Sequence, residues 1–365
     1  MLYSLPFAAI DTTLFPGSYA DGRQRWQAQA NKLPGHASCQ SYPCDGTGPD
    51  GEELVTDTIW IGPEDASRVL VLLGGTHGIE GFAGSAVQID QLGLIAEGHV
   101  AIPPNTAVLM VHALTPWGYA WQRRCDADGV DLNRNIVDFS RPLPENKDYE
   151  LLKDTFYLAD AAQRKVALAE FERLHGRVAL EKAISAGQYC DPSGPFYGGA
   201  ASAHGRRVCE DLMRRHSLQQ RDLAVIDLHT GLGSYGYGEI ICDHQPGSAG
   251  TRAAHHWYGD SVALPFLGTS SSVPKLGLLD YAWHEIMNDR SCYITLEFGS
   301  FSTDQLFEIL LRDHQLWAQS DNEQARLEHR RVMHRHFCPD DRAWREMVLF
   351  RARQVIAQGL WGVSS

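Results

Sequence analysis

Several things are missing from this 365-residue chain, and each absence removes a class of function. No run of about 18 apolar residues occurs, so no membrane-spanning helix is predicted. Lys and Arg are outnumbered, 32 against 45 Asp and Glu, for a formal charge of −13. With a pI near 5.6 the chain offers no global surplus of cations for nucleic-acid phosphates or an anionic membrane, so neither is expected as a partner. The segment Met1-Leu-Tyr-Ser-Leu-Pro-Phe-Ala-Ala-Ile10 has no positive n-region and no long apolar core. It does not read as a secretory signal, and a cytoplasmic protein is expected.

Cysteine is scattered rather than patterned. The eight thiols (39, 44, 125, 190, 209, 242, 292 and 338) contain no C-x-x-C pair, which suits neither a zinc ribbon nor a small disulfide scaffold. Cys242 and Cys292 fall in strand-like runs and are expected to be buried apolar residues, and Cys39 and Cys44 to be loop thiols. No Gly-Lys-Ser/Thr follows the glycines at Gly74-Gly75-Thr-His-Gly78, which excludes a P-loop. His284-Glu285 has Asn288 where H-E-x-x-H needs a second histidine, so that zinc helix is absent too.

What is present is a large apolar reserve, 44% of residues with 10% aromatic. This is enough for one large α/β domain over residues 1–365, with a core at about 55–320 and C-terminal helices packed on it. Apolar, β-branched runs at Thr56–Ile61, Arg68–Gly74, Ala107–Ala113, Asp222–Leu228, Gly238–Asp243 and Ser291–Phe298 read as strands. A helix is expected over Tyr19–Lys32 and another from Gly81 to Gly93, while Pro34–Gly51 is polar and rich in Gly and Pro. Between Pro142 and Gly187, Leu151, Leu152, Phe156, Leu158, Val166, Leu168, Phe171, Leu174, Val178 and Leu180 recur at helical spacing and predict an insertion of two or three amphipathic helices. Strands alternating with helices imply a three-layer α/β/α fold around a mixed, mostly parallel sheet.

Four stretches carry chemistry. In Val69-Leu-Val-Leu-Leu-Gly-Gly-Thr-His-Gly-Ile-Glu80 a buried strand breaks at glycines and delivers His77 and Glu80 where open α/β sheets bind ligands. In Asp222-Leu-Ala-Val-Ile-Asp-Leu-His-Thr-Gly-Leu-Gly233 a second strand ends at His229. Ser291-Cys-Tyr-Ile-Thr-Leu-Glu-Phe-Gly299 places one carboxylate, Glu297, in an apolar run, where it is costly unless paired or bound. The loop Trp117–Asn135 gathers Arg123, Arg124, Asp131, Asn133, Arg134 and Asn135. It can hold an anion through guanidinium forks, or it is a solvated loop with structural ion pairs.

Two histidines and a glutamate with an open fourth position are among the known ligand sets of catalytic zinc, which gives His77, Glu80 and His229 as ligands of one Zn²⁺. Glu297 suits the carboxylate that takes a proton from the attacking water. His255, His256, His334 and His336 lie in polar or helical stretches and are expected to be solvated or core histidines. His112, at a strand end, is weighed lower still as a site residue.

Gly75-Thr-His-Gly-Ile-Glu-Gly81, Asp131-Leu-Asn-Arg-Asn135, Asp227-Leu-His-Thr-Gly-Leu-Gly233 and Thr295-Leu-Glu-Phe-Gly299, with Gly187-Gln-Tyr189 and Phe196-Tyr-Gly-Gly199, resemble the zinc carboxypeptidase superfamily. Within it they resemble a bacterial branch described as a domain of unknown function (DUF2817-like), over roughly residues 55–300. The resemblance implies a zinc-dependent hydrolase of a peptide or amide bond. It makes Glu297 the general base, Asn133 and Arg134 the grip on a substrate's free carboxylate, Arg124 an oxyanion stabiliser, and Asp131 the carboxylate that orients His77. The family's active-site tyrosine is placed at Tyr281, with Tyr235 and Tyr237 as competitors. Two other readings stay open: a deacylase of N-acyl amino acids, like aspartoacylase and succinylglutamate desuccinylase, and a non-catalytic zinc protein that binds carboxylates.

Overall fold

The computed structural model of this chain describes residues 8–33, 37–158, 160–319 and 322–365. Eight strands run β1 (Ala37–Thr47), β2 (Glu53–Ile61), β3 (Arg68–Gly74), β4 (Thr106–His112), β5 (Asp222–Thr230), β6 (Gly238–Ile241), β7 (Val262–Ala263) and β8 (Cys292–Phe298). They form one sheet in the order β1-β2-β4-β3-β5-β8-β6-β7. The central four, β4, β3, β5 and β8, are mutually parallel, while β2 on one side and β6 on the other join antiparallel.

Both faces of those four strands are apolar because both are covered. Leu70 and Leu72 of β3, Val108 and Met110 of β4, and Ala224 and Ile226 of β5 enter one core; their alternates Val69, Val71, Leu109, Val111, Leu223 and Val225 enter a second. Continuous apolar runs are what a parallel sheet buried on both sides requires. The helices are α1 (Tyr19–Ala30), α2 (Gly81–Ala96), α3 (Pro116–Ala120), α4 (Lys147–Phe156), α5 (Ala161–His175), α6 (Arg177–Ser185), α7 (His204–Arg215), α8 (Ala249–Tyr258), α9 (Leu279–His284), α10 (Thr303–Gln319), α11 (Glu323–Phe337) and α12 (Arg342–Ser364). Residues of α1, α2, α8 and α12 fill the first core, and Val208, Leu212, Leu279 and Trp283 of α7 and α9 the second. The expected three-layer α/β/α architecture is the one found. Among the described residues no helix is long and apolar enough to cross a membrane.

Some expectations need correction. The passage Pro34–Gly51 contains β1, whose side chains are largely exposed. An edge strand has no buried face to enforce apolar alternation and tolerates Pro43, so its sequence looks like a loop; its Pro34–His36 portion lies outside the described residues. Cys39 and Cys44 therefore sit on a strand and not in a loop, both as free thiols, while Cys242 and Cys292 are fully buried. The 142–187 insertion forms three helices, α4 to α6. Leu152, Phe156, Phe171 and Leu180 are buried, but Leu151, Val166, Leu174 and Val178 are 57–72% exposed. Helical spacing placed them on a packing face that the fold does not cover.

The topology decides where chemistry can gather. From β3 the chain crosses through α2 to β4 on one side, while β5 pairs with β3 on the other. The C-terminal ends of β3 and β5 thus flank the point where strand order reverses, and β8 lies next to β5 with His229 opposite Glu297. Neighbouring strands are ~4.8 Å apart, so ligands leaving these ends converge whatever their sequence separation.

Candidate metal centre

Beyond β3 the chain turns at Gly75, whose φ of +67° only glycine adopts freely, and a 3₁₀ turn over Gly78–Glu80 leads into α2. This tight turn brings His77 and Glu80 onto one side. One ligand atom each from His77, Glu80 and His229 can be chosen so that all lie within 4.8 Å of one another. All three residues are buried.

The orientation of the rings is specific. His77 Nδ1 lies 2.9 Å from Glu80 Oε1 and His229 Nδ1 3.0 Å from Glu80 Oε2, so both Nδ1 atoms face one carboxylate. The opposite nitrogens face other carboxylates: His77 Nε2 lies 3.1 Å from Asp131 Oδ1, and His229 Nε2 2.8 Å from Asp227 Oδ2. At His229 that partner holds the proton on Nε2 and leaves the Nδ1 lone pair for a cation, whereas His77 Nε2 also faces an Arg124 N–H at 2.7 Å. Thr76 Oγ1 and the Tyr293 hydroxyl donate to Asp227 at 2.8 and 2.9 Å and fix it in turn.

Charge points the same way. Glu80, Asp131, Asp227 and Glu297 are four buried carboxylates around two imidazoles and Arg124. Burial opposes ionisation of Glu80, but His77 and His229 outweigh it and hold its carboxyl well below the usual range. Burial likewise opposes charge on His229, yet Asp227 and Glu80 hold its imidazole well above the ordinary value. The same holds for Asp131, kept low against burial by Arg124 and His77. A divalent cation on the three inward donors would satisfy this excess of negative charge without protonated imidazoles, so the residues fit a zinc ion.

Glu297 Oε1 accepts the Leu232 N–H at 3.0 Å. Burial and the charge of Glu80 push its carboxyl up to about 8, against the pull of His229. Arg124 binds Asp131 at 3.0 Å and Glu80 at 3.4 Å, and its Nη2 lies 2.7 Å from His77 Nε2. These contacts take three of its five N–H groups, and Arg124 also borders the cleft that opens above it. Asn133, Arg134 and Glu297 line the same cleft as His77, Glu80 and His229. The Asn133 side-chain oxygen Oδ1 accepts the Leu279 N–H at 2.7 Å, which leaves its NH₂ group available.

Arg134 is fully buried, donates to the carbonyls of Ser185 and Asn133, and forms no ion pair among the described residues. The motifs at 187–189 and 196–199 explain its posture. Tyr189 donates to the Arg134 carbonyl at 2.6 Å, the Phe196 ring lies 5.1 Å from the Arg124 guanidinium and 5.3 Å from that of Arg134, and Asn135 donates to Gly198 O at 2.8 Å.

Tyr281 is not in the cleft wall. Its hydroxyl donates to Lys275 O at 3.1 Å, while Tyr235 binds Asp341 at the surface and Tyr237 is half exposed. The tyrosine that does border the cleft is Tyr293, already committed to Asp227. His112 lies outside the cleft wall, 2.7 Å from Ser85 Oγ with its ring stacked on Trp26. His255 and His256 are exposed on α8.

Three residues escaped the reading of the sequence: Asp227, Asp243 and Lys275. Asp227 had a signal, since positions i and i+2 of a strand share a face, which makes Asp227 and His229 neighbours once β5 is known. We expect Asp227→Asn to raise the zinc dissociation constant about 10- to 100-fold, measured by chelator competition, because Asn cannot hold the His229 proton as a carboxylate does. Unchanged affinity would remove Asp227 from the site.

Several solved structures are similar to this chain, and the first of them shares its fold. Carboxypeptidase A from Helicoverpa armigera superposes with a TM-score of 0.50 at 12% identity, over 90% of this chain and 76% of that one. Bovine thrombin-activatable fibrinolysis inhibitor, solved with a tick carboxypeptidase inhibitor, gives 0.47 at 10% identity, over 90% and 99%. Murein-tripeptide amidase MpaA from Escherichia coli O157 gives 0.34 at 16%, over 86% and 97%. No curated protein matches the chain. The family model described as "Protein of unknown function (DUF2817)" matches residues 15–351, and the chain belongs to that family.

Proposed function

We propose that this chain is a zinc-dependent hydrolase that cleaves a peptide or amide bond next to a free carboxylate. The observation that carries the reading is one cleft bordered by an inward-facing His77–Glu80–His229 donor set, the buried carboxylate of Glu297 and a buried cation, Arg134, without an ion pair among the described residues. Zinc, when bound, supplies Lewis-acid polarisation of the scissile carbonyl and a lowered pKa for water.

The remaining work falls to side chains. Glu297 Oε1 is occupied by the Leu232 N–H, so Oε2 takes the proton from water and returns it to the departing nitrogen. A carboxyl whose proton affinity is raised by burial suits that exchange near neutral pH. Arg134 and the Asn133 NH₂ group orient the substrate through its carboxylate. Arg124, shared between Asp131 and the cleft, supports the oxygen that gains charge.

The test begins with protein purified without chelator, expected to contain one zinc per chain and to lose hydrolysis on chelation. Peptides with a free C-terminus are expected to be cleaved at least tenfold more efficiently than the same peptides amidated, since amidation removes the charge that Arg134 reads. Equal rates would overturn the carboxylate requirement, and faster cleavage of N-acyl amino acids than of peptides would move the assignment to a deacylase.

A further inference from the structure

The aromatic ring that Arg124 and Arg134 share is carried on a strained backbone. Phe196 has φ +57°, in the left-handed region that a bulky side chain rarely adopts. The chain around it leaves no alternative. Gln188 N–H donates to Phe196 O at 3.1 Å, Asp131 N–H to Tyr197 O at 2.8 Å and Gly198 N–H to Gln188 O at 2.8 Å. Both Val130 and Gln188 bridge to Tyr197, so residues 196–198 are clamped between the segments that carry Asp131 and Gln188. Strain of this kind persists only where surrounding contacts over-determine it, and it clusters at functional sites.

What the strain secures is the place of the ring. Phe196 is buried, borders the cleft and meets Phe307 of α10 edge-on, and its ring lies within the ~6 Å over which an aromatic face attracts a cation for both guanidiniums. The two cations have cause to part. Burial, with the charge of Arg124 adding to it and that of Asp131 opposing, pushes Arg134 down to about 10. Arg124 is drawn to the donor set by Asp131 and Glu80, and Arg134 to the end of α6 by Ser185 O. A carboxylate set between them would hold both, but it would take the N–H groups that a substrate needs. An aromatic face attracts both cations and consumes no N–H.

We infer that Phe196 is a positioning residue whose ring fixes Arg124 and Arg134 relative to one another, so that one supports the oxygen that gains charge while the other holds the substrate's carboxylate. This rests on reading the cleft as a carboxylate-recognising hydrolase site. A ring that merely fills the core would be replaceable by any apolar side chain of similar size.

The test separates the posture of the arginines from turnover. Phe196→Leu keeps apolar bulk and the same backbone demand but has no aromatic face, and Phe196→Tyr restores one. Arginine Nε–H signals of the zinc-loaded protein, assigned with Arg124→Lys and Arg134→Lys, are followed by NMR. In the wild type the Cδ protons of both arginines are expected upfield of their ordinary positions; ordinary shifts there overturn the inference and need no variant at position 196. In Phe196→Leu both Nε–H groups are expected to exchange with water about tenfold faster, and in Phe196→Tyr within about threefold of the wild type. Phe196→Leu is also expected to keep one zinc per chain, to lower kcat about tenfold for all peptides, and to raise KM about tenfold only for those with a free C-terminus. Phe196→Tyr recovers most of both losses. Unchanged exchange in Phe196→Leu overturns the inference whatever the kinetics. Faster exchange that Phe196→Tyr does not reverse overturns the assignment to the aromatic face. A KM raised equally for free and amidated peptides overturns the positioning of Arg134. Faster exchange that Phe196→Tyr reverses, in a protein that hydrolyses no peptide, upholds the positioning of both arginines and overturns the hydrolase reading.

Discussion

Glu297→Gln is expected to retain one zinc per chain and to lose turnover by about 10²- to 10⁴-fold in kcat, the range for removing a positioned general base. The substitution is nearly isosteric. Its Oε1 still accepts the Leu232 N–H, so the end of β8 has no reason to move. Replacing a carboxylate by an amide also removes repulsion with Glu80, the charge that, after burial, does most to raise the proton affinity of Glu297. Zinc affinity is therefore maintained while the proton acceptor disappears. Metal analysis and single-turnover kinetics on the same preparation check both halves. Turnover within tenfold of wild type would sink the base assignment, and lost zinc would show that Glu297 belongs to the ligand set.

Gly78→Ala is expected to cost more than about 4 kcal/mol of stability and to abolish stoichiometric zinc binding. A Cβ at Gly78 would lie 2.1 Å from the carbonyl carbon of Gly118 and 2.3 Å from the Tyr119 nitrogen, so the obstacle is backbone and cannot rotate away. The two segments are also laced together, with Gly78 N–H donating to Arg124 O at 3.0 Å and Ile79 N–H to Arg123 O at 2.8 Å. Forcing them apart moves His77 and Glu80 relative to Arg124 and Asp131. The control is Gly93→Ala on α2, where the new methyl meets only the Gln29 side chain at 3.8 Å and helix propensity favours alanine. Thermal unfolding and zinc titration of both variants decide the matter. A Gly78→Ala protein with wild-type melting and metal content would refute this account of the turn.

The strands that carry chemistry were legible because burial on both faces writes them as continuous apolar runs, and β3, β5 and β8 start and stop within two residues of their predicted limits. The residues at their ends were legible as metal-ligand and acid–base types because a carboxylate or imidazole at the edge of such a run has to be partnered. Elements without that constraint were not. β1 pairs at the sheet edge with exposed side chains, and the insertion helices leave Leu151, Val166, Leu174 and Val178 in solvent. The cleft-facing tyrosine was not legible either, because Tyr281 and Tyr293 lie on neighbouring elements and only the fold turns the second toward the cleft.

By itself the sequence determined the chemical types, two histidines and two glutamates at strand ends and an arginine-rich loop, together with the α/β pattern that carries them. Only the tertiary structure decided that β3 and β5 are neighbours at the reversal of strand order, which brings His77 within reach of His229 across 151 intervening residues of chain. It also supplied what no local pattern encodes: Asp227 behind His229, Tyr293 behind Asp227, and Lys275 and Asp243 lining the same cleft as Arg134. The physical reason is the range of the interactions. Burial and backbone pairing act on each segment as a whole and leave their mark on its composition. The contacts that orient a ligand or confront two charges are made by single side chains from segments that meet only when the sheet closes.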